Sequence, residues 1–444
     1  MEPKIRISQC MIVKNEEGNI ERALLWGKGI VSEQIVVDTG STDRTVEIAE
    51  KMGAKVYHFP WIDDFAAAKN FAIDKARYEW IAFLDADEYF LEKDAKEILY
   101  CIRQVHNTNH HGIATGWIHL DDKGGVLSAD TQIRIFRNLP ALRYKRKIHE
   151  YLVLDDVPIR TADAVSVLSI YHTGYGEKTV REKKGRNLKL IEAELQIDPN
   201  DWELWGYLGN EYDGDKDCEQ AARAYRKAIS LMPEDPKGHI GSIAMIYMRY
   251  LQLLTFLPEP DEKEIMEVYQ KAVKSVPEEG DFDYMVGQYF TARKDWKRGE
   301  THIRRALTIL EANGNAGWSA ILSGNIMKTY EMLAICCYSN GNLKECIKLT
   351  STLLKENPYL MSTLVVMLAG FSSDQATTKN GMEGAVQVAA FLGKSFYRFD
   401  SLKDRIFVLR AAMASGYQDL TAVMRNTFTQ EELNAVDKAL NQKE

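Results

Sequence analysis

The hydrophobic positions change their period once along the chain. Over roughly the first 150 residues, short apolar runs rich in β-branched residues alternate with stretches of helical spacing. Ile5–Val13 reads as a strand, Asn15–Lys28 as a helix, Gln34–Asp38 as a buried strand and Ser41–Lys51 as a helix. Lys55–Phe59 follows as a strand, Asp64–Arg77 as a helix and Trp80–Asp85 as a strand. This alternation predicts right-handed βαβ units around a parallel sheet, because parallel neighbours need a crossover between them. Polar residues collect where the strands end, the edge at which open α/β sheets bind ligands. From about residue 180 the strand signal stops and helical spacing fills the chain.

Within the helical part, Trp205, Leu208, Gly209 and Tyr212 are followed by Ala221, Tyr225, Ala228 and Pro233. This is the tetratricopeptide pattern. Its small residues let two antiparallel helices approach, its large ones fill the gaps, and Pro233 ends the second helix. The phase recurs more weakly at Tyr269, Ala272 and Pro277, at Gly287, Phe290, Ile303 and Ala306, and at Leu333, Ala334, Cys346 and Pro358. Leu188–Pro199 reads as the second helix of a partial leading unit, and Tyr247–Glu259 as a long helix or insertion. Ala385–Ala390 and the last ~70 residues read as further helices and a cap. Stacked pairs form a concave face that binds a peptide or protein, and a homodimer through the array is a further expectation.

Composition narrows the classes. A chain of 444 residues, 45% hydrophobic and 27% charged, is an ordinary globular sequence with room for two to four domains. A net charge of −8 argues against general nucleic-acid binding. The six cysteines include no CxxC pair and none near a histidine at zinc-finger spacing, so buried thiols in a reducing compartment are expected. Cys336 and Cys337 are adjacent and cannot share one helix face. The N-terminus lacks a basic stretch followed by an apolar run, and no window approaches 18 apolar residues. The expectation is a cytoplasmic protein without a membrane span.

The strongest chemical signal is Asp85-Ala86-Asp87-Glu88, directly after a buried strand. Two carboxylates one residue apart in a strand-end turn can reach one hard cation, Mn²⁺ or Mg²⁺, that also holds substrate phosphates. Asp38-Thr39-Gly40-Ser41-Thr42-Asp43 follows another strand, with Asp38 placed for a base or ribose and Ser41 or Thr42 for a helix cap. Lys14-Asn15-Glu16 follows the first strand in the same way, and Asp64 leads to Lys69-Asn70. There is no P-loop, GxGxxG, GxSxG or HExxH.

The series MIVKNEE (11–17), VVDTGSTDRT (36–45), WIDDFAAAKN (61–70), WIAFLDADE (80–88), RIFRN (134–138) and KIHEYL (147–152) resembles the family-2 glycosyltransferases with their nucleotide-sugar-binding GT-A fold. The resemblance implies an α/β GT-A domain over 1–182 and a tetratricopeptide-like helical domain over 183–444. It implies that Asn15, Glu16 and Asp38 line the nucleotide pocket, that Asp64, Lys69 and Asn70 flank base and phosphates, and that Asp85, with Ala86, faces the ribose or a metal-bound water. Asp87 would hold the divalent metal that bridges the diphosphate of a UDP-sugar. A carboxylate in the HE position resembles the family's base, which makes Glu150 the catalytic candidate. His172 is a late metal ligand by the same resemblance, and His149 lies on the acceptor side with Arg134 and Arg137. The roles of His149 and His172 are interchangeable at this level.

A family-2 domain followed by helical repeats resembles the bacterial peptide S-glycosyltransferases of the glycocin type, which share a YH-x-GY segment like Tyr171–Tyr175. That implies transfer of a hexose or N-acetylhexosamine to a Cys or Ser of a peptide or protein. The catalytic half also looks like lipopolysaccharide-core glucosyltransferases, so a glycolipid or polysaccharide acceptor is the alternative. A non-catalytic repeat scaffold is a third.

Overall fold

The computed structural model describes residues 5–121, 123–173, 177–235, 239–314, 319–374 and 379–441. Gly174 and Tyr175, the end of the YH-x-GY segment, lie outside them. The chain divides into two compact units, Met1–Asp217 and Cys218–Glu444.

The first unit opens with β1 (Ile7–Val13), α1 (Ile20–Leu25), β2 (Glu33–Asp38), α2 (Thr45–Lys51), β3 (Lys55–His58), α3 (Phe65–Lys75) and β4 (Trp80–Phe83). It continues with β5 (Glu88–Phe90), α4 (Glu92–Val105), β6 (Gly112–Leu120), β7 (Val126–Arg137), β8 (Leu142–Lys145), β9 (Tyr151–Leu154), β10 (Val157–Pro158), β11 (Thr161–Asp163) and β12 (Ser169–His172). Two helices close it, α5 (Glu177–Ile197) and α6 (Trp202–Gly214). The main sheet runs β3-β2-β1-β4-β7-β6-β12-β5, with β11 beside β6, and β8–β10 form a small antiparallel sheet.

β3, β2, β1 and β4 are mutually parallel, as their spacing predicts. Beyond β4 the sheet is mixed, because β7 runs antiparallel to both β4 and β6. The parallel strands read as continuous apolar runs because both faces are covered. Cys10, Ile35, Val37, Ile81 and Phe83 pack with Ala66, Ala72 and Ile73 of α3. On the opposite face, Met11, Val13 and Val36 pack with Ile20, Ala23 and Leu24 of α1 and Ala49 of α2. Side chains alternate faces along each strand, so neighbouring residues serve both layers.

The helix expected over Asn15–Lys28 is confined to Ile20–Leu25. Asn15 sits in the left-handed region at φ 57°, and the turn after β1 is laced to the loop after β2. The polar residues at the start of that segment bind a neighbouring loop rather than extending a helix.

The second unit is helical throughout its described residues. It comprises α7 (Cys218–Leu231), α8 (Ile240–Phe256), α9 (Glu262–Ser275), α10 (Asp281–Ala292), α11 (Trp296–Asn313), α12 (Ala320–Gly324), α13 (Ile326–Ser339), α14 (Leu343–Glu356), α15 (Met361–Ser373), α16 (Gly381–Ser395), α17 (Leu402–Ser415), α18 (Gln418–Arg425) and α19 (Gln430–Asn441). Pro233, Pro277 and Pro358 each stand two residues past the ends of α7, α9 and α14. Gly287 of α10 has the close approach its repeat position implies: a Cβ there would lie 2.9 Å from the Ile303 side chain of α11. Cys336 and Cys337 are both buried although they point to different sides of α13, since the helix is covered from more than one direction. Of the other cysteines, Cys10, Cys101 and Cys346 are buried and Cys218 is half-buried.

Candidate active site

The carboxyl ends of β1, β2 and β4 leave the parallel half of the sheet at one edge. After β2, the Asp38 carboxylate accepts hydrogen bonds from the backbone N–H groups of Gly40 (3.2 Å) and Ser41 (3.0 Å) and lies 3.3 Å from His58 Nδ1. Gly40 has φ 109°, a value that excludes most L side chains. Burial pushes the Asp38 carboxyl up, but the bonds from Ser41, Gly40 and His58 outweigh it and hold the group below its ordinary value. The neighbouring loop is fixed to this turn. Asn15 N–H donates to Ser41 Oγ (2.9 Å), Asn15 Oδ1 accepts from Thr42 N–H (2.8 Å), and Glu16 N–H donates to Thr45 Oγ1 (2.7 Å).

After β4 the structure builds a chain of alternating charge: Glu150, Lys69, Asp85, Arg134, Glu88. Lys69 Nζ lies 2.6 Å from Glu150 Oε1 and 3.2 Å from Asp85 Oδ1. Arg134 Nη2 lies 2.8 Å from Asp85 Oδ2 and 2.6 Å from Glu88 Oε1. Lys69, Arg134 and Glu88 are all buried, and Lys69 also sits 5.3 Å from the ring centroids of Phe83 and Tyr144. Burial opposes the charge on Lys69, yet Asp85 and Glu150 reverse this and raise its pKa. Burial likewise pushes Asp85 up, and Lys69 and Arg134 drive it well below its ordinary value instead. Glu88 goes the other way: burial, aided by Asp85 and Asp87, outweighs Arg134 and raises it.

Asp87 begins the second cluster. β12 pairs with β5 and β6 so that His172 stands opposite Glu88 on one side and His119 on the other. His172 Nε2 lies 3.2 Å from Asp87 Oδ2, and its Nδ1 lies 3.1 Å from His119 Nδ1. The Asp87 carbonyl accepts from both Thr173 N–H (3.0 Å) and Thr173 Oγ1 (3.1 Å), and Arg22 Nη2 in turn donates to Thr173 Oγ1 (2.7 Å). A carboxylate oxygen and an imidazole nitrogen this close fit a divalent cation that accepts both donors. Mg²⁺ keeps to oxygen, so the pair suits Mn²⁺ better.

The remaining expected residues occupy defined places. Asp64 caps α3 by accepting from Ala67 N–H at 2.8 Å. The Asn70 amide donates to Tyr144 C=O and accepts from Tyr144 N–H, both at 2.9 Å, which ties α3 and hence Lys69 to β8. Ala86 faces inward among Met11, Val36 and Ala49. Glu16 Oε2 accepts from Asn19 Nδ2 at 2.9 Å. Arg137 is not brought to the site. It pairs in register with Trp80, at the start of β4, and donates to the carbonyls of Val105, His106 and His110.

His149 stacks on Tyr207 of α6, and its Nε2 is buried without a hydrogen-bond partner. Burial pulls its pKa down to about 4. A neutral His that must charge on unfolding adds stability that is complete above its unfolded pKa of about 6.5 and is lost as pH falls toward 4. Between pH 7 and 5 the expected loss is about 2 kcal/mol. Urea titrations of the wild type and His149→Phe at the two pH values check this. The variant should lack that share of the pH dependence.

Sequence spacing did not reveal His119, which meets His172 only through the pairing of β6 with β12. Nor did it reveal a cluster in the second unit, where Glu300, Cys337 and Glu345 converge at metal-ligand spacing. There Arg304 lies 2.7 Å from Glu300 and 2.8 Å from Glu345, so a guanidinium neutralises the carboxylates. Beside the Glu150 loop lies a cavity of about 250 Å³ whose lining includes Ile62, Lys147, Arg186 and Glu194.

A mixed sheet whose strand ends gather an acidic turn and the Glu150 loop around Lys69 is a GT-A-like domain. Residues 8–156 match the family described as Glycosyl transferase family 2, and the first unit therefore carries a family-2 glycosyltransferase domain. Among curated proteins, a TPR repeat-containing protein of Synechococcus elongatus is 32% identical over 240 residues, 52% of this chain and 58% of that protein. The glycosyltransferase SunS of Bacillus phage SPbeta is 30% identical over 225 residues, 50% of this chain and 52% of that protein. The matched chain thus spans a little over half the length of these relatives. Among solved structures, S. aureus TarS 1-349 matches 62% of this chain and 90% of its own at 14% identity and a TM-score of 0.33.

Proposed function

We propose that the protein is a metal-dependent inverting glycosyltransferase. It moves a hexose or N-acetylhexosamine from a UDP-sugar to a Cys or Ser side chain of a peptide or protein held by the helical repeats. The observation that carries this reading is the pairing of Glu150 with Lys69 within one charge chain that ends beside Asp87 and His172. The laced loops at Asn15 and Asp38 hold the nucleotide. Asp87 and His172 would hold a divalent cation, whose charge would offset that of the departing diphosphate. Lys69 orients Glu150 through the 2.6 Å contact of its Nζ with Oε1. Glu150 takes the acceptor proton as the new bond forms on the sugar face opposite the leaving group, which inverts the anomeric centre. The domain match and the glycosyltransferase among the relatives support transfer, and the repeat array supports a polypeptide acceptor. No helix among the described residues is long and apolar enough to cross a membrane.

The test is a screen of UDP-sugars with Mn²⁺, following UDP release and the intact mass of small Cys- and Ser-containing peptides. A mass gain of one sugar supports the reading, and no release or gain with any donor counts against it. Asp87→Asn should weaken Mn²⁺-supported UDP binding by about 10-fold or more, since second-rank changes around metals already cost 10–100-fold. Calorimetric titration with and without Mn²⁺ measures it. Equal affinities for wild type and variant would place the cation elsewhere.

A further inference from the structure

The loop that carries Glu150 joins β8 to β9 and contains two residues in the left-handed region, Arg146 (φ 76°) and His149 (φ 54°). L side chains adopt that region at a cost, and such a loop keeps one shape only where its surroundings over-determine it. Most of the side-chain contacts that do so come from α5 and α6. Arg146 Nη2 lies 2.9 Å from both Asp201 and Glu203. Lys147 Nζ lies 2.7 Å from Glu194. His149 lies flat on Tyr207, with ring centroids 3.7 Å apart and planes 3° from parallel. Because His149 Nε2 finds no hydrogen-bond partner, the ring is held on its face rather than by that nitrogen.

We infer that Tyr207 is a positioning residue for the candidate base. By clamping His149 it fixes the peptide plane from which Glu150 leaves, and so holds Glu150 Oε1 at 2.6 Å from Lys69 Nζ. The helical pair α5–α6 then works as part of the catalytic machinery, although Trp205, Gly209 and Tyr212 carry the spacing of the repeats. The inference rests on the reading of Glu150 as base.

The test uses the full chain with Tyr207→Leu and Tyr207→Phe, each assayed for transfer and for backbone hydrogen exchange over residues 146–150. Tyr207→Leu removes the stack and should lower kcat by about 10- to 100-fold, the scale of a small misplacement, with the donor KM unchanged. Tyr207→Phe keeps the stack and should restore kcat. Exchange in the loop should quicken in the Leu variant alone, at an unchanged melting temperature for the second unit. Unchanged kcat in Tyr207→Leu, equal loss in both variants, or unaltered exchange would each overturn the inference. A wild type that transfers no sugar while its loop still loosens in Tyr207→Leu would overturn the base assignment and leave the clamp standing.

Discussion

Glu150→Gln is expected to lower the transfer rate by about 10³-fold, within the 10²–10⁴ range of a lost general base. The amide keeps the size of the carboxylate and can still accept from Lys69 Nζ, now 2.6 Å from Oε1, so the loop should hold. What disappears is the ability to take a proton. The donor KM should change little, because the groups proposed to hold the nucleotide, Asn15 and Asp38, lie on separate loops. Steady-state kinetics on the acceptor identified in the donor screen measure both parameters, with circular dichroism confirming the fold. A variant that retains a third or more of wild-type turnover would move the base to another group, Asp85 being the nearest along the charge chain.

The largest effect on stability is expected from Arg134→Met. Arg134 bridges Asp85 and Glu88, and the Glu88 side chain has no exposure at all. Removing one partner of a buried ion pair leaves a stranded charge and costs about 3–5 kcal/mol. For a unit of this size that is roughly 10 °C in melting temperature. Lys69→Met should cost less, although Lys69 is equally buried. Its partners Asp85 and Glu150 have side chains 35% and 16% exposed, so water can take over part of their solvation. Thermal unfolding of the two variants ranks them. The opposite order would mean that Glu88 relaxes toward solvent when its partner is lost.

The strand ends were legible because a buried parallel strand is a short apolar run that stops at polar residues, as at Asp38 and Asp85. The helical repeats were legible because close helix contact demands small residues at fixed places, Gly287 against Ile303 among them. What escaped was long-range. His119 and His172 are 53 residues apart and meet because β6 and β12 pair in register, which no local period encodes. The turn from Asn15 escaped for a related reason: its polar groups bond to Ser41 and Thr42, so helical spacing alone overstated the helix. Arg134 and Arg137 look alike in sequence, yet three residues along a strand put them on opposite faces, one inside the charge chain and one on helix-end carbonyls. Lys69 and Asn70, adjacent in the motif, divide between a buried ion pair and a backbone tie for the same kind of reason.

The clamp on the Glu150 loop has a consequence for biosynthesis. Asp38 leaves the ribosome early, His172 much later, and Tyr207 later still. At about 5–20 residues per second, the span from residue 38 to residue 207 takes roughly 10–30 s to make. During that interval a nascent chain carries the Asp38 turn without the Tyr207 ring that stacks on His149. The order of synthesis thus delays the complete arrangement around Glu150 until the first helical pair has emerged.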